Sequence, residues 1–189
     1  MDHPPYGDLV VLLDPDGRPA GTAPRASVHG VSTPLHLAFS CYLLDSAGRL
    51  LVTRRALSKR TWPGVWTNAF CGHPRPGEPM QAAVHRHARH ELGITVDALE
   101  VVLPDFRYTA RDAAGVMENE VCPVFVATTR DDVAPHADEV ADLAWTTPDE
   151  LASAVAATPW AFSPWMVEQV PQLVGLLGGA SRVPRAAVV

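Results

Sequence analysis

Between Pro34 and Leu44 the chain alternates: Leu35, Leu37, Phe39, Cys41 and Leu43 fall on one side, His36, Ser40 and Tyr42 on the other. A period of two is the geometry of a β-strand, whose successive side chains point to opposite faces. This stretch therefore commits the chain to a sheet and projects His36 from it. Asp45-Ser46-Ala47-Gly48 carries turn residues and leads into Arg49–Thr53, giving a hairpin. Upstream, the apolar run 8–13 reads as a strand ending at the turn Asp14-Pro15-Asp16-Gly17. The polar stretch from Gly21 to Pro34 reads as a loop carrying Arg25 and His29.

Downstream the period changes. From Glu78 to Leu92, Val84, Ala88 and Leu92 recur at four-residue steps, Pro79 sits in the first turn, and Gly93 suits the C-terminal cap, so a helix is expected. Segments 99–109 and 116–128 read as strands split by the turn at Arg111–Gly115, and Asp142–Thr146 as a further strand. Thr147-Pro148-Asp149-Glu150 is a capping box opening a helix to about Ala156. A last helix starts at Ser163-Pro164, with a kink expected at Pro171, and 178–189 reads as a flexible tail. No repeat or inter-domain linker interrupts this order, so 1–189 is expected to be one domain, with its core at about 34–168 and the strand and loop 8–34 contributing to the site.

Composition bears on partners. The formal charge of −6 is wrong for a nucleic-acid partner, which needs a dominant basic surface. Three widely spaced cysteines, with no signal peptide or long apolar span before them, read as free thiols of a cytoplasmic, non-membrane protein. Cys41 and Cys122 lie in apolar runs and read as core. Cys71 lies instead in Thr67-Asn68-Ala69-Phe70-Cys71-Gly72-His73-Pro74, which joins a thiol, a glycine, an imidazole and a proline just ahead of the helix, and marks the reacting centre. Arg54-Arg55-Ala56-Leu57-Ser58-Lys59-Arg60 offers four cations in seven residues, a natural anion clamp. Glu118 and Glu120, two apart on a strand, share one side of the sheet; such a pair is costly unless a cation compensates it or one carboxyl is protonated.

From Gly72 through Glu78, Arg86, Glu91, Gly93 and Ile94 the spacing matches a Nudix signature in which His87 and His90 stand where hydrolases of that superfamily carry glutamates. The acidic cluster for metal-assisted diphosphate hydrolysis is thus broken. Leu35–Ser40, Thr53–Lys59, Trp62–Asn68, Cys71–Pro74, Glu118–Phe125 and Pro159–Met166 together closely resemble type I isopentenyl diphosphate isomerase, over roughly residues 8 to 170. The resemblance implies a Nudix-like α/β (α+β) fold, an α/β/α sandwich with a mixed sheet, and a cytoplasmic enzyme that interconverts isopentenyl and dimethylallyl diphosphate by protonating and deprotonating the alkene.

Carried over by position, the resemblance makes His29, His36, His73, Glu118 and Glu120 a divalent-metal site suited to Mn²⁺ or Zn²⁺. It places Glu91, with the main-chain carbonyl of Cys71, at a Mg²⁺ shared with the substrate diphosphate. Cys71 and Glu120 become the acid–base pair, with Tyr108 tuning Glu120. Arg25, Arg55, Lys59 and His87 become diphosphate contacts, with arginine expected in the family at the position of His87 and lysine usual at that of Arg25. Trp165 becomes an aromatic wall beside the cationic carbon. The partners implied are small isoprenoid diphosphates, with the chain a monomer or weak homodimer. A Nudix-type diphosphate hydrolase and a non-catalytic, metal-stabilised binding module are the alternatives.

Overall fold

The computed structural model describes residues 8–177. In chain order the elements are β1 (Leu9–Leu13), β2 (Pro19–Pro24), α1 (Arg25–Val28), β3 (His36–Leu37), β4 (Phe39–Leu44), β5 (Leu50–Arg55), β6 (Trp66–Thr67), β7 (Phe70–Gly72) and α2 (Met80–Leu92). They continue with β8 (Ala98–Leu103), β9 (Arg107–Arg111), β10 (Met117–Val121), β11 (Val124–Thr128), β12 (Val140–Thr146), α3 (Pro148–Ala157), a 3-10 turn at Pro159–Ala161 and α4 (Pro164–Leu177). One sheet runs β2-β1-β3-β10-β9; the other runs β12-β5-β4-β11-β8, with β6 on β5 and β7 on β4. β3 with β10, and β4 with β11, pair in parallel among otherwise antiparallel neighbours, so both sheets are mixed.

The strand expected over 34–44 is two strands. His36 and Leu37 belong to the first sheet, and the chain crosses at Ala38 so that Phe39–Leu44 enters the second. The stretch 116–128 divides in step at Cys122-Pro123, and 99–109 divides likewise between β8 and β9. Pro123 has no N–H for a ladder, and its carbonyl accepts from Ser40 N while that of Val121 accepts from Ala38 N. The two crossings are thereby locked side by side. The 21–34 segment also departs from the loop reading, because β2 ends and α1 forms within it. Nearly every residue of β2 is exposed, and an edge strand with neither face buried has no apolar alternation to read.

β4 is buried at all six positions because both faces of its sheet are covered. Phe39, Cys41 and Leu43 pack with Val84, Ala88 and Leu92 of α2, while Tyr42 and Leu44 pack with Leu151 of α3 and Trp165, Met166 and Leu173 of α4. This is the expected sandwich. Gly93 ends α2 in the left-handed conformation (φ 67°), its N–H reaching the Ala88 carbonyl. Thr147 and Glu150 form the reciprocal capping box of α3. α4 continues as one helix with Pro171 inside it. The expected tail lies outside the described residues, among which no helix is long and apolar enough to cross a membrane.

Candidate active site

The crossing between the two sheets opens a pocket of about 520 Å³, a size that suits a small ligand. Its wall carries Cys71, Glu118, Glu120, Tyr108 and Trp165 together with the charged or titratable Arg55, Lys59, His87 and Glu91, and Arg25 and His29 also line it. Every expected site residue except His36 therefore lines this one cavity, contributed by seven segments of the chain.

Register explains the cluster of candidate metal ligands. His36 of β3 stands opposite Glu120 of β10, and His73 follows directly on β7. His36 Nε2 and His73 Nε2 lie 3.3 and 3.2 Å from Glu120 Oε1, and 3.2 Å from each other. The His29 ring centroid is 5.0 Å from that of His36 and 5.4 Å from that of His73. Each of His29, His36, His73 and Glu120 offers a ligand atom, all within 4.8 Å of one another. His29 Nε2 is buried and has no hydrogen-bond partner among the described residues. An orphaned buried nitrogen is costly, and here it belongs to a convergent imidazole and carboxylate set of the kind a divalent cation binds. The residues present fit such a cation. Burial, then the neighbouring imidazoles of His73 and His36, push His29 down to about 3, so it stays neutral and keeps a lone pair available.

Glu118, the fifth expected ligand, shares the Glu120 face of β10; its carboxylate accepts hydrogen bonds from the Tyr108 hydroxyl and from Thr61 Oγ1, the latter at 2.6 Å, and it lies beside the four ligand atoms that are within 4.8 Å of one another. Tyr108 lies opposite Glu120 in the β9–β10 register, and its hydroxyl reaches diagonally to donate to Glu118. The two carboxyls are driven apart. Burial and then the charge of Glu120 raise Glu118. Burial would raise Glu120 too, but hydrogen bonds from His36 and His73 override it and hold the carboxyl well below the usual range.

Cys71 is half-buried at the pocket wall, and desolvation pushes its thiol up to about 12. The indole of Trp165 is buried against the same wall, with Trp62 edge-on at 5.5 Å and the Arg55 guanidinium 5.4 Å over its ring. Arg55 Nε and one Nη also donate to the Thr61 carbonyl, and Nε to that of Trp62. Those bonds brace a bend in which Trp62 takes φ 43°, a conformation disfavoured for a bulky residue. Lys59 is half-buried and ion-paired with Glu139. Arg25 stands at the exposed rim, bonded to Asp8 at 2.6 Å. His87 Nδ1 lies 2.8 Å from Glu91 Oε1. Burial raises Glu91, but the His87 hydrogen bond and the Lys59 charge outweigh it and the carboxyl is depressed. Glu91 and Cys71 are not part of the histidine cluster.

Sequence reasoning passed over Thr61, Asn68, Ser40, Gln169 and Glu139 as site residues. Two of them had signals: Ser40 shares the His36 face of its stretch, and Gln169 is a polar residue on the buried stripe of Trp165, Met166, Val170 and Leu173.

A NUDIX domain match spans residues 34–166. The chain is 60% identical over 170 residues to a Clavibacter sepedonicus protein named Isopentenyl-diphosphate Delta-isomerase, covering 90% of each. It is 62% identical over 172 residues to one of the same name from Agromyces mediolanus, covering 91% of this chain and 83% of that one. Among solved structures, a Deinococcus radiodurans protein superposes with TM-score 0.68 at 21% identity, over 87% of this chain and 98% of that one. The MutT protein of Methanosarcina mazei gives TM-score 0.61 at 16% identity, over 78% and 97%. These two likenesses concern the fold alone.

Proposed function

The chain belongs to the NUDIX family and, within it, to the isopentenyl-diphosphate Delta-isomerases, and from that membership we propose that it interconverts isopentenyl and dimethylallyl diphosphate. The observation that carries the reading is a thiol, Cys71, and a carboxylate, Glu120, far apart in sequence and lining one pocket walled by a buried indole. An unactivated alkene is a poor base, so moving its double bond needs an acid and a base held against it away from water. Cys71 holds its proton in the resting protein and Glu120 lacks one, so the pocket presents both. The reaction is reversible, and each group plays both parts.

Trp165 offers its π face to the developing tertiary cation, an attraction of about 2 kcal/mol or more in a desolvated site. Arg55, Lys59 and Arg25 bind the diphosphate, and His87 contributes a further contact on the α2 side. His29, His36, His73 and Glu120, with Glu118 beside them, would hold a Mn²⁺ or Zn²⁺, and Glu91 with the Cys71 carbonyl a Mg²⁺; bound there, such ions would supply positive charge beside the carboxylates and the diphosphate oxygens. Tyr108 and Thr61 donate to Glu118 and so fix the strand that presents Glu120.

Incubating the purified protein with isopentenyl diphosphate and Mg²⁺ tests the reading. Dimethylallyl diphosphate is the expected product. Released phosphate would favour diphosphate hydrolysis, and the absence of both products a binding module.

A further inference from the structure

Ser40 is fully buried on β4 and stands opposite Cys71 in the β4–β7 ladder. Gln169, fully buried on α4, donates from Nε2 to Ser40 Oγ at 3.0 Å, and its amide is oriented by the Tyr42 hydroxyl, which donates to Oε1 at 3.0 Å. A hydroxyl that accepts from an amide still has its one hydrogen to give. Within reach of that hydrogen are two sulfurs, Cys71 Sγ at 3.5 Å and Cys122 Sγ at 3.4 Å. On its other side the Cys71 thiol donates to Asn68 Oδ1 at 3.2 Å. That oxygen also accepts from Trp165 Nε1 at 2.9 Å and Thr67 Oγ1 at 3.0 Å. The Asn68 amide is fixed in turn, because Nδ2 donates to the Cys41 and Phe70 carbonyls at 3.0 and 2.7 Å. The reacting sulfur thus lies between one fixed acceptor and one aimed donor.

We propose that Asn68 and Ser40, the latter aimed by Gln169 and Tyr42, are positioning residues that serve the two protonation states of Cys71 in turn. The functional half of this inference rests on the isomerase reading. When the thiol gives its proton to the alkene carbon, the S–H bond breaks and the sulfur keeps the electron pair, releasing Asn68. The Ser40 hydrogen, shared between two neutral sulfurs, then turns to Cys71, since a hydrogen bond to a charged acceptor is roughly twice as strong as one to a neutral group. In the reverse direction a substrate C–H bond breaks, its electron pair forms the double bond, its proton goes to the sulfur, and the re-formed S–H engages Asn68 again. One hydroxyl rotation completes the exchange, with the partners already in place. Because the same Asn68 oxygen holds Trp165, the thiol and the aromatic wall are kept in register with each other.

Two readouts test this. In Ser40→Ala, kcat for isopentenyl diphosphate should fall about 10- to 100-fold with KM changed less than about twofold, as expected for losing a hydrogen bond made to a charge that develops in the reaction. Ser40→Thr should regain most of the loss, and Cys122→Ala should keep kcat near wild type. Independently of turnover, the S–H infrared band that disappears in Cys71→Ala belongs to Cys71, and it should shift in Asn68→Ala and in Ser40→Ala. Unchanged kcat in Ser40→Ala, a loss that threonine does not restore, or a band that stays in place in both variants overturns the proposal. Wild-type protein that makes no dimethylallyl diphosphate while the band moves as expected overturns the isomerase reading instead and leaves the grip on the sulfur standing.

Discussion

Cys71 and Glu120 line the same pocket in opposite protonation states because their neighbours differ. Burial dominates at the thiol, whereas His36 and His73 outweigh burial at the carboxyl. Removing the thiol should therefore remove turnover without removing the anion site. Cys71→Ala is expected to lower kcat by at least about 100-fold, the scale of losing a positioned acid or base, while calorimetry finds pyrophosphate binding little changed. Near-normal turnover would take the thiol out of the mechanism. The Tyr108 hydroxyl binds the carboxyl two residues before Glu120. Tyr108→Phe should cost about 1.5–3 kcal/mol in urea unfolding, because a buried carboxylate loses a donor, and a smaller cost would mean that Glu118 finds another partner.

At the scale of elements, the approach of β7 to α2 sets the site's dimensions. A Cβ built on Gly72 would meet the His87 ring at 2.4 Å, and that ring cannot move freely, being bonded to Glu91 and set edge-on against Phe39. Gly72→Ala should therefore destabilise by about 1–3 kcal/mol, and the cost should largely disappear in a His87→Ala background. Equal costs in both backgrounds would place the strain elsewhere. α2 itself was legible: the Val84, Ala88 and Leu92 stripe and the Gly93 cap appear where the spacing puts them. The strands were legible as strands but not as members of two sheets, since periodicity reports which way side chains point and is silent about which ladder a backbone joins. Hence 34–44 and 116–128 read as single strands, although each leaves one sheet for the other.

For the whole molecule, the histidine cluster joins β3, the loop after β7, β10 and the segment after α1, so occupancy should stabilise the fold as well as the site. Removing divalent metal with a chelator is expected to lower the melting temperature, and Mn²⁺ or Zn²⁺ at a hundred times Kd to restore about 2.7 kcal/mol; His29→Ala should blunt that recovery, and an unmoved melting curve would speak against a cation there. In metal-free protein, acid should destabilise. Glu78, Glu91 and Glu120 are held below the ordinary 4.5; burial alone would raise each, and the hydrogen bonds from Arg86, from His87 and from His36 and His73 prevail. Groups depressed in the folded state bind fewer protons than in the unfolded chain, so their contribution is present above 4.5 and lost as pH falls through the depressed values. His29, lowered from 6.5 to about 3, adds loss across that interval. Glu118, raised by burial and by Glu120, and His36, which burial would lower but its hydrogen bond to Glu120 raises, act in the opposite sense and are outnumbered. The urea midpoint should therefore be lower at pH 4 than at pH 6, and a higher one would contradict these shifts.

By itself the sequence determined most of the element types and the helix caps and, through resemblance to its family, the sandwich class and most of the residues that line the pocket. Local periodicity and residue chemistry suffice for the elements and caps, because these depend on neighbours along the chain. The tertiary structure alone decided how the two glutamates are partnered, where the Tyr108 hydroxyl points, and that Ser40, Gln169 and Asn68 close around the thiol. Glu118 and Glu120 are the same residue type on the same face of one strand. What separates them is the register that sets His36 opposite one and the Thr61 loop that closes on the other, and both arise from segments far away in sequence.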